Sequence, residues 1–133
     1  MLLYGCKYGQ TNSNVSSNFE INTLKNESFE DFHLKFLIDS TFRYSRINFP
    51  VKGYNSDSEA SPENYLWERG DWDFYFEVDK DYKKNGAIVS EIYPTDSTTV
   101  WRLYIENSGY DIRYHFKKDN DKWMLTYYSY KNW

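Results

Sequence analysis

The sequence predicts an α+β domain in which an N-terminal helix packs on a curved antiparallel sheet of four to six strands. Three observations lead to this prediction: an amphipathic stretch at residues 28–39, four strand-like stretches that follow one another closely after residue 85, and an aromatic content of 21%. Aromatic side chains at this density are typical of the layer between a helix and a sheet. The length of 133 residues is enough for one domain with a buried core.

The chain begins with a polar segment. Residues 7–18 read KYGQTNSNVSSN, and Ser, Asn, Thr and Gly dominate them. A composition of this kind buries too little apolar surface to order itself, so it predicts a flexible tether. We therefore divide the chain into residues 1–18, a signal remnant with a tether, and residues 19–133, a single α+β domain.

The stretch SFEDFHLKFLID is the predicted helix. Ser28 is a suitable N-cap, and two acidic residues follow in the first turn, where the positive end of the helix dipole favours them. The side chains that recur at helical spacing on one stripe are Phe29, Phe32, His33, Phe36 and Leu37.

The middle of the chain is less regular. In FRYSRINFPVKGY, the apolar side chains of Ile47, Phe49 and Val51 alternate with other residues at a period of two, which predicts a strand. Pro50 has no N–H for a ladder, so this strand lies at a sheet edge or carries a bulge. The aromatic segment that follows fits neither period, and we interpret residues 72–76 as a short turn or helix.

The last third of the chain predicts four strands: GAIVSEIY, TTVWRLYIEN, YDIRYHFKKD and KWMLTYYSY. Their short polar connections favour antiparallel neighbours, and one apolar face per strand indicates a sheet covered on one side. In the last strand, alternation places Trp123, Leu125 and Tyr127 on the covered face and Tyr128 on the other. The side chains expected to be buried together are Phe32, Phe36, Ile105, Ile112, Phe116, Trp123 and Leu125.

Composition and charge exclude several classes of function. A net charge of −4 argues against a nucleic-acid partner, which needs a basic face. No segment has the roughly 18 apolar residues of a membrane span. The single cysteine forms no internal disulfide, and no Cys/His group has the spacing of zinc ligands. We therefore expect no metal and no cofactor.

Several residues together resemble a known family. They are Phe32, Phe36, Asp39, Ser40, Phe42, Ser45, Arg46, Ile47, Phe49 and Pro50, followed by a Trp-containing middle and the strand end Lys122-Trp123-x-Leu125. This pattern is similar to the nuclear-transport-factor-2-like superfamily, and more narrowly to a family of Bacteroides-type envelope proteins of unknown function. The resemblance implies a cone-shaped α+β fold over residues 28–130. It implies no particular activity, because the superfamily includes isomerases, dehydratases and many proteins without catalytic function.

Cys6 is the only cysteine in the chain. The residues LYGC resemble the end of a bacterial lipoprotein signal, in which a small residue precedes the acylated cysteine, and the polar tether follows directly. Only five residues precede Cys6, fewer than the basic start and apolar run of a signal require. We expect a lipid-anchored or periplasmic protein of the bacterial envelope. A free thiol near the start of a cytoplasmic protein is the alternative.

Candidate catalytic residues are few. His33 lies on the apolar stripe of the predicted helix and is expected to pack there, whereas His115 falls on the polar side of its strand. Asp39, at a helix end, is expected to act as a cap. The chain has no nucleophile elbow, phosphate loop or paired-carboxylate motif.

A binding role has more support from the sequence. Arg46 stands between Tyr44 and Asn48 in the aromatic segment and offers five donors and a fixed charge. If it faces the interior, its anionic partner is either an internal carboxylate or a ligand. We expect a pocket at the wide end of the cone, lined by Tyr44, Arg46, Trp67, Trp72, Tyr93, Trp101 and Tyr114. The sequence therefore predicts a non-catalytic binding domain for a small molecule, glycan or protein. A small enzyme of the isomerase or dehydratase kind is the alternative.

Overall fold

The computed structural model describes residues 27–133, so the predicted tether and Cys6 lie outside the described residues. The elements of this range are, in order, α1 (Phe29–Ile38), α2 (Ser40–Ser45), β1 (Ile47–Asn55), β2 (Tyr65–Trp67), α3 (Arg69–Lys80), β3 (Val89–Pro94), β4 (Thr98–Tyr104), β5 (Tyr110–Asp119) and β6 (Lys122–Asn132). Short 3₁₀ turns occupy Pro62–Asn64 and Tyr82–Lys84. The α+β prediction is confirmed.

The helix predicted at residues 28–39 is confirmed as α1. The Ser28 hydroxyl accepts a hydrogen bond of 3.2 Å from the backbone N–H of Asp31, which satisfies one of the free donors of the first turn. Asp39 then caps α2, because its Oδ1 accepts from the N–H of Phe42 at 3.1 Å. This second cap begins a short helix at residues 40–45, which the sequence pattern did not predict.

The six strands form one sheet in the order β2-β1-β6-β5-β4-β3. The meander from β3 to β6 is antiparallel, as predicted. The sheet as a whole is mixed, because β1 pairs with β6 in parallel. The prediction of a wholly antiparallel sheet is therefore wrong at this pair. A parallel pair needs a long crossover connection. Local sequence patterns do not predict which distant strands such a connection pairs.

Pro50 lies in an irregular part of β1. The pairing of β1 with β6 shifts register between Ile47 and Lys52, and the proline falls in that interval. The strand is internal, flanked by β2 and β6. Of the two predicted explanations for a proline in this strand, the structure confirms the bulge.

The helix α3 is longer than the sequence indicated. Its buried side chains, Trp72, Phe76 and Asp79, follow helical spacing. The pattern was hard to recognise because the buried stripe contains a carboxylate, while Phe74 on the outer side is 68% exposed. Both α1 and α3 contribute aromatic side chains to the same core, where the rings of Phe36 and Phe76 lie 5.6 Å apart.

The predicted core is buried except for Ile105, which follows the end of β4. The alternation predicted for β6 is wrong after Leu125. His115 pairs with Tyr127 and Phe116 with Leu125, so Thr126 is an extra residue in the ladder. This bulge shifts the following side chains by one position. Tyr128 therefore lies in the core, fully buried, and Tyr127 lies on the opposite surface.

The sheet has two different faces. The helices cover one of them, and the other, which we call the open face, carries no helix of residues 27–133. Within the same residues, no helix combines the length and apolarity that a membrane crossing needs. The described residues also contain no group of three or more His, Cys, Asp or Glu side chains suited to hold a metal ion.

Candidate functional site

Aromatic side chains fill the layer between the helices and the sheet. The fully buried ones include Trp67, Trp72, Trp101, Tyr114 and Tyr128. Their rings meet mostly edge to face, at centroid distances such as 4.8 Å between Trp67 and Tyr128, an arrangement that aromatic pairs prefer. Four of the seven side chains predicted to line a pocket, Trp67, Trp72, Trp101 and Tyr114, are therefore core residues without exposed surface.

Two further residues of the predicted pocket lie at separate places. Tyr44, on α2, is half-buried; its hydroxyl donates to Asp73, and the guanidinium of Arg69 lies 3.8 Å above its ring. Tyr93, on the edge strand β3, is 44% exposed and donates to Glu91. The geometry does not bring Tyr44 and Tyr93 together at one opening.

Arg46 is engaged within the protein. Its guanidinium forms two hydrogen bonds with the Glu27 carboxylate, at 2.6 and 2.8 Å, and donates to the carbonyl of Trp123 at 3.2 Å. It also lies 4.5 Å from the centre of the Phe42 ring. Both partners of the ion pair are mostly buried, with 11% and 16% of their side-chain area exposed. Arg46 thus joins the end of α2 to Glu27, two residues before α1, and to β6.

The ion pair with Glu27 determines what we expect from Arg46→Ala. The substitution should lower the free energy of unfolding by roughly 2–3 kcal/mol, since it leaves Glu27 and the Trp123 carbonyl without their donor. Urea unfolding of Arg46→Ala, Glu27→Gln and the double variant measures the coupling. Strictly additive effects, or a stability equal to wild type, would show that the pair does not stabilise the fold. Whether any of the seven predicted residues contacts a ligand stays a prediction.

A buried carboxyl lies in the aromatic core. Oδ2 of Asp79, on α3, accepts hydrogen bonds from the hydroxyls of Tyr114 at 2.6 Å and Tyr128 at 2.7 Å. Its Oδ1 is also buried and finds no hydrogen-bond partner among residues 27–133. Only 2% of Asp79 is exposed. The helix and two neighbouring strands of the sheet therefore meet at one carboxyl that solvent does not reach.

Burial changes the acidity of this group. Loss of hydration raises the pKa of Asp79 from 3.8 to about 7, although the two tyrosine hydrogen bonds act in the opposite direction. Burial and the nearby Asp79 also raise the pKa values of the Tyr114 and Tyr128 hydroxyls, so both stay protonated and donate. Sequence analysis missed Asp79. The only available signal was its place three residues after Phe76 and seven after Trp72.

The two histidines differ in their surroundings. His33 packs between Phe29 and Trp101, with ring centroids 5.3 and 4.6 Å away. Burial lowers its pKa to about 4, so it is neutral near pH 7. This confirms His33 as a packing residue. His115 lies on the open face, where its ring meets that of Tyr127 at 4.9 Å; partial burial and then the charge of Arg113 lower its pKa as well.

Strand pairing aligns one row of side chains across the open face. Lys52 pairs with Tyr127, Tyr127 with His115, His115 with Val100, and Val100 with Tyr93. These five residues, which we call the central row, cross five strands. Because neighbouring strands are about 4.8 Å apart, the row is roughly 19 Å long.

Cationic side chains flank the central row. Arg113 and Arg102 pair across β5 and β4 on one side of the row, and Lys117 follows His115 by two residues on the other. Asp111 accepts from Arg102 at 2.8 Å and from Arg113 at 3.1 Å. In total the strands contribute six cationic residues to the open face, Lys52, Arg102, Arg113, Lys117, Lys122 and Lys131, against three carboxylates, Glu91, Asp111 and Asp119.

Two shallow grooves run over this surface. One, of about 600 Å³, is lined by residues that include Val100, Arg113, His115 and Tyr127. The other, of about 620 Å³, extends towards the hairpin between β5 and β6. They share Lys117 and Thr126. The open face thus carries two adjoining grooves that combine aromatic rings with positive charge, although the chain has a net charge of −4.

Comparison with known proteins supports the fold. A family model for Bacteroides-type proteins matches residues 27–133. The structure is similar to that of an NTF2-like protein from Bacteroides fragilis, with 18% identity and a TM-score of 0.53 over 80% of this chain and 47% of the other. The chain therefore spans about half the length of that protein. A protein from Bacteroides uniformis is also similar, with 22% identity and a TM-score of 0.56 over 81% and 78% of the two chains. No curated protein matches the sequence.

Proposed function

The chain belongs to the nuclear-transport-factor-2-like family of Bacteroides-type proteins, and from this premise we propose that it is a non-catalytic binding domain whose ligand docks on the open face. The ligand classes considered are a small molecule, a glycan or a protein. A single contrast carries the proposal: the large aromatic side chains of the interior are fully buried against one another, whereas the open face carries grooves of mixed chemistry.

The interior supports this proposal, because the buried side chains of residues 27–133 pack against one another there. Trp72, Tyr114 and Tyr128 surround Asp79 without exposed surface of their own. A binding pocket buries most of a small ligand between convergent groups and is largely formed in advance. Here the convergent groups already contact one another, so a ligand would have to displace core side chains.

The open face supports it through its composition. Tyr127 and His115 lie in the middle of the central row, and the groove beside them contains Arg113 and Lys117. Aromatic rings and arginine are enriched at binding surfaces because they combine large contact area with directed hydrogen bonds. Except at the salt bridges of Arg102 and Arg113 with Asp111, the cations of this face have no carboxylate within 4.0 Å among residues 27–133.

Side-chain NMR tests the proposed location. A ligand found by screening should shift the aromatic signals of Tyr127 and His115 and leave those of Trp72 and Phe76 unchanged. Tyr127→Ala should weaken binding several-fold, because stacking on a partly exposed ring is lost. Trp133→Ala, at an aromatic residue that is 74% exposed, serves as the control. Ligand-induced shifts at Trp72 and Phe76 instead would overturn the proposal.

The alternative is a small enzyme, and one observation favours it. Asp79 combines a pKa of about 7 with two tyrosine donors, and strongly perturbed carboxyls cluster at catalytic sites. Such an enzyme would have to open its core to admit substrate. If Asp79→Asn abolished a measured turnover while the variant stayed folded, the enzyme would be the correct assignment and the binding proposal would fail.

Anchoring in the bacterial envelope is the second part of the proposal. It is supported by the LYGC residues and the polar segment after them. Expression of the gene with its upstream region should give a protein that incorporates labelled lipid and sediments with membranes. Cys6→Ala should abolish the label and leave thermal unfolding unchanged. A variant that still carries the label would refute acylation at Cys6.

A further inference from the structure

The central row and the cations beside it define one ligand chemistry. We infer that the open face binds an acidic polysaccharide, a chain of sugar rings with widely spaced carboxylates. This inference rests on the proposed function, because it names the ligand class of the same surface. Three properties of the described residues carry it: the shape of the row, the placement of the charges and the charge of the remaining surface.

The shape of the row suits a linear chain. The central row runs across the strands from Lys52 to Tyr93, roughly 19 Å. The Tyr127 and His115 rings lie next to each other in its middle at an interplanar angle of 72°. An extended ligand that lies along the row meets the ring surfaces with its apolar faces. The C–H faces of pyranose rings provide such contacts, and their hydroxyls suit the polar groups of the shallow groove.

The charges are placed for ligand groups that project sideways. Arg113 lies on one side of the row and Lys117 on the other, both on β5 and both exposed. Arg102 is held in a fixed position, since its guanidinium lies 3.9 Å from the centre of the Tyr104 ring and pairs with Asp111. Carboxylates that leave a sugar chain in alternating directions would reach Arg113 and Lys117 without leaving the row.

The surface outside the open face limits how densely charged the ligand is. The open face has three more cations than carboxylates, while the complete chain has a net charge of −4, so the rest of the protein is strongly acidic. A nucleic-acid strand carries a phosphate about every 3.4 Å and would meet both this repulsion and the carboxylates of Glu91 and Asp111. A second copy of the open face would oppose cations with cations. A ligand with widely spaced carboxylates is attracted by the cations of the open face and is repelled less by the acidic remainder of the protein.

The experiment uses a short hyaluronan oligosaccharide, in which only every second ring carries a carboxylate, and its methyl ester, which has the same rings without the charges. The full chain is titrated with each probe, and the aromatic and amide signals are followed by NMR. The acid should shift Tyr127 and His115, and the ester should bind about ten-fold more weakly. Raising salt from about 0.01 to 0.15 M shortens the Debye length from about 30 to 8 Å. This change should weaken binding of the acid but not binding of the ester.

Matched variants locate the charge contact. Lys117→Ala should weaken binding of the acid about three-fold and leave binding of the ester unchanged. Lys84→Ala, at an exposed lysine after α3, should change neither. Equal affinity for acid and ester at Tyr127 would overturn the acidic ligand and leave the open-face proposal standing. The acidic polysaccharide is overturned in the same way if only an acidic peptide or an oligonucleotide shifts Tyr127. Shifts confined to Trp72 and Phe76 would overturn both.

Discussion

Trp123→Ala should lower the free energy of unfolding by about 3–5 kcal/mol, a large part of the stability of a domain this size. The side chain is 4% exposed and packs against the Phe29 ring at 5.3 Å. Its indole N–H donates to the carbonyl of Glu27 at 3.2 Å. The substitution therefore leaves a cavity between α1 and β6 and removes a hydrogen bond from the chain that enters α1.

Guanidinium unfolding measures this effect, and the slope with denaturant should stay constant if only stability changes. Trp133→Ala is the matched control, because Trp133 is 74% exposed; its effect should stay within about 0.5 kcal/mol. A Trp123 variant with the unfolding midpoint of wild type would contradict the packing of β6 against α1.

The largest expected pH dependence comes from Asp79. Its pKa is about 7 in the folded protein, against 3.8 for the ordinary group. Between these values the unfolded chain releases the proton while the folded protein keeps it. The contribution of Asp79 to stability is therefore greatest below pH 4 and is lost as the pH rises to 7. A difference of about three pKa units corresponds to about 4 kcal/mol.

Asp79→Asn isolates this contribution, because the amide has the same shape and does not titrate. Its free energy of unfolding, measured in urea from pH 4 to 8, should rise relative to wild type by about 4 kcal/mol over that range. Asp81→Asn, at an exposed carboxylate directly after α3, serves as the control. A difference between Asp79→Asn and wild type that is independent of pH would mean that Asp79 ionises normally in the fold.

Much of the fold follows from short-range patterns. Ser28 and the stripe through Phe32 and Phe36 specify α1, since the cap and the period lie within one helix. The meander follows from period-two segments with short polar connections. Two of the features that were missed depend on distant partners. The extra residue at Thr126 appears only in its pairing with β5, and the parallel pairing of β1 with β6 has no local signal.

The candidate site was harder to predict from the sequence, because it also depends on contacts between residues distant in the chain. Aromatic residues such as Trp72 and Trp101 occur both in pocket walls and in protein cores. Only the packing of the folded chain shows that these two belong to the core. The partner of Arg46 could not be identified from the sequence, because Glu27 belongs to a segment without a recognisable pattern. The central row is also invisible in the chain, because His115 becomes a neighbour of Val100 and Tyr127 only once the strands are in register.

The position of β6 in the middle of the sheet has a consequence for folding. β6 follows the other strands along the chain, yet it joins β1 to β5, so β1 and β2 have no connection to the meander before it is in place. A ribosome-bound chain that lacks β6 therefore exposes two unpaired strand edges, which are sites of aggregation. Closure then depends on contacts between residues far apart in sequence, which slow folding. We expect a nascent chain stalled before Lys122 to bind chaperones and to become protease-resistant only once β6 has emerged.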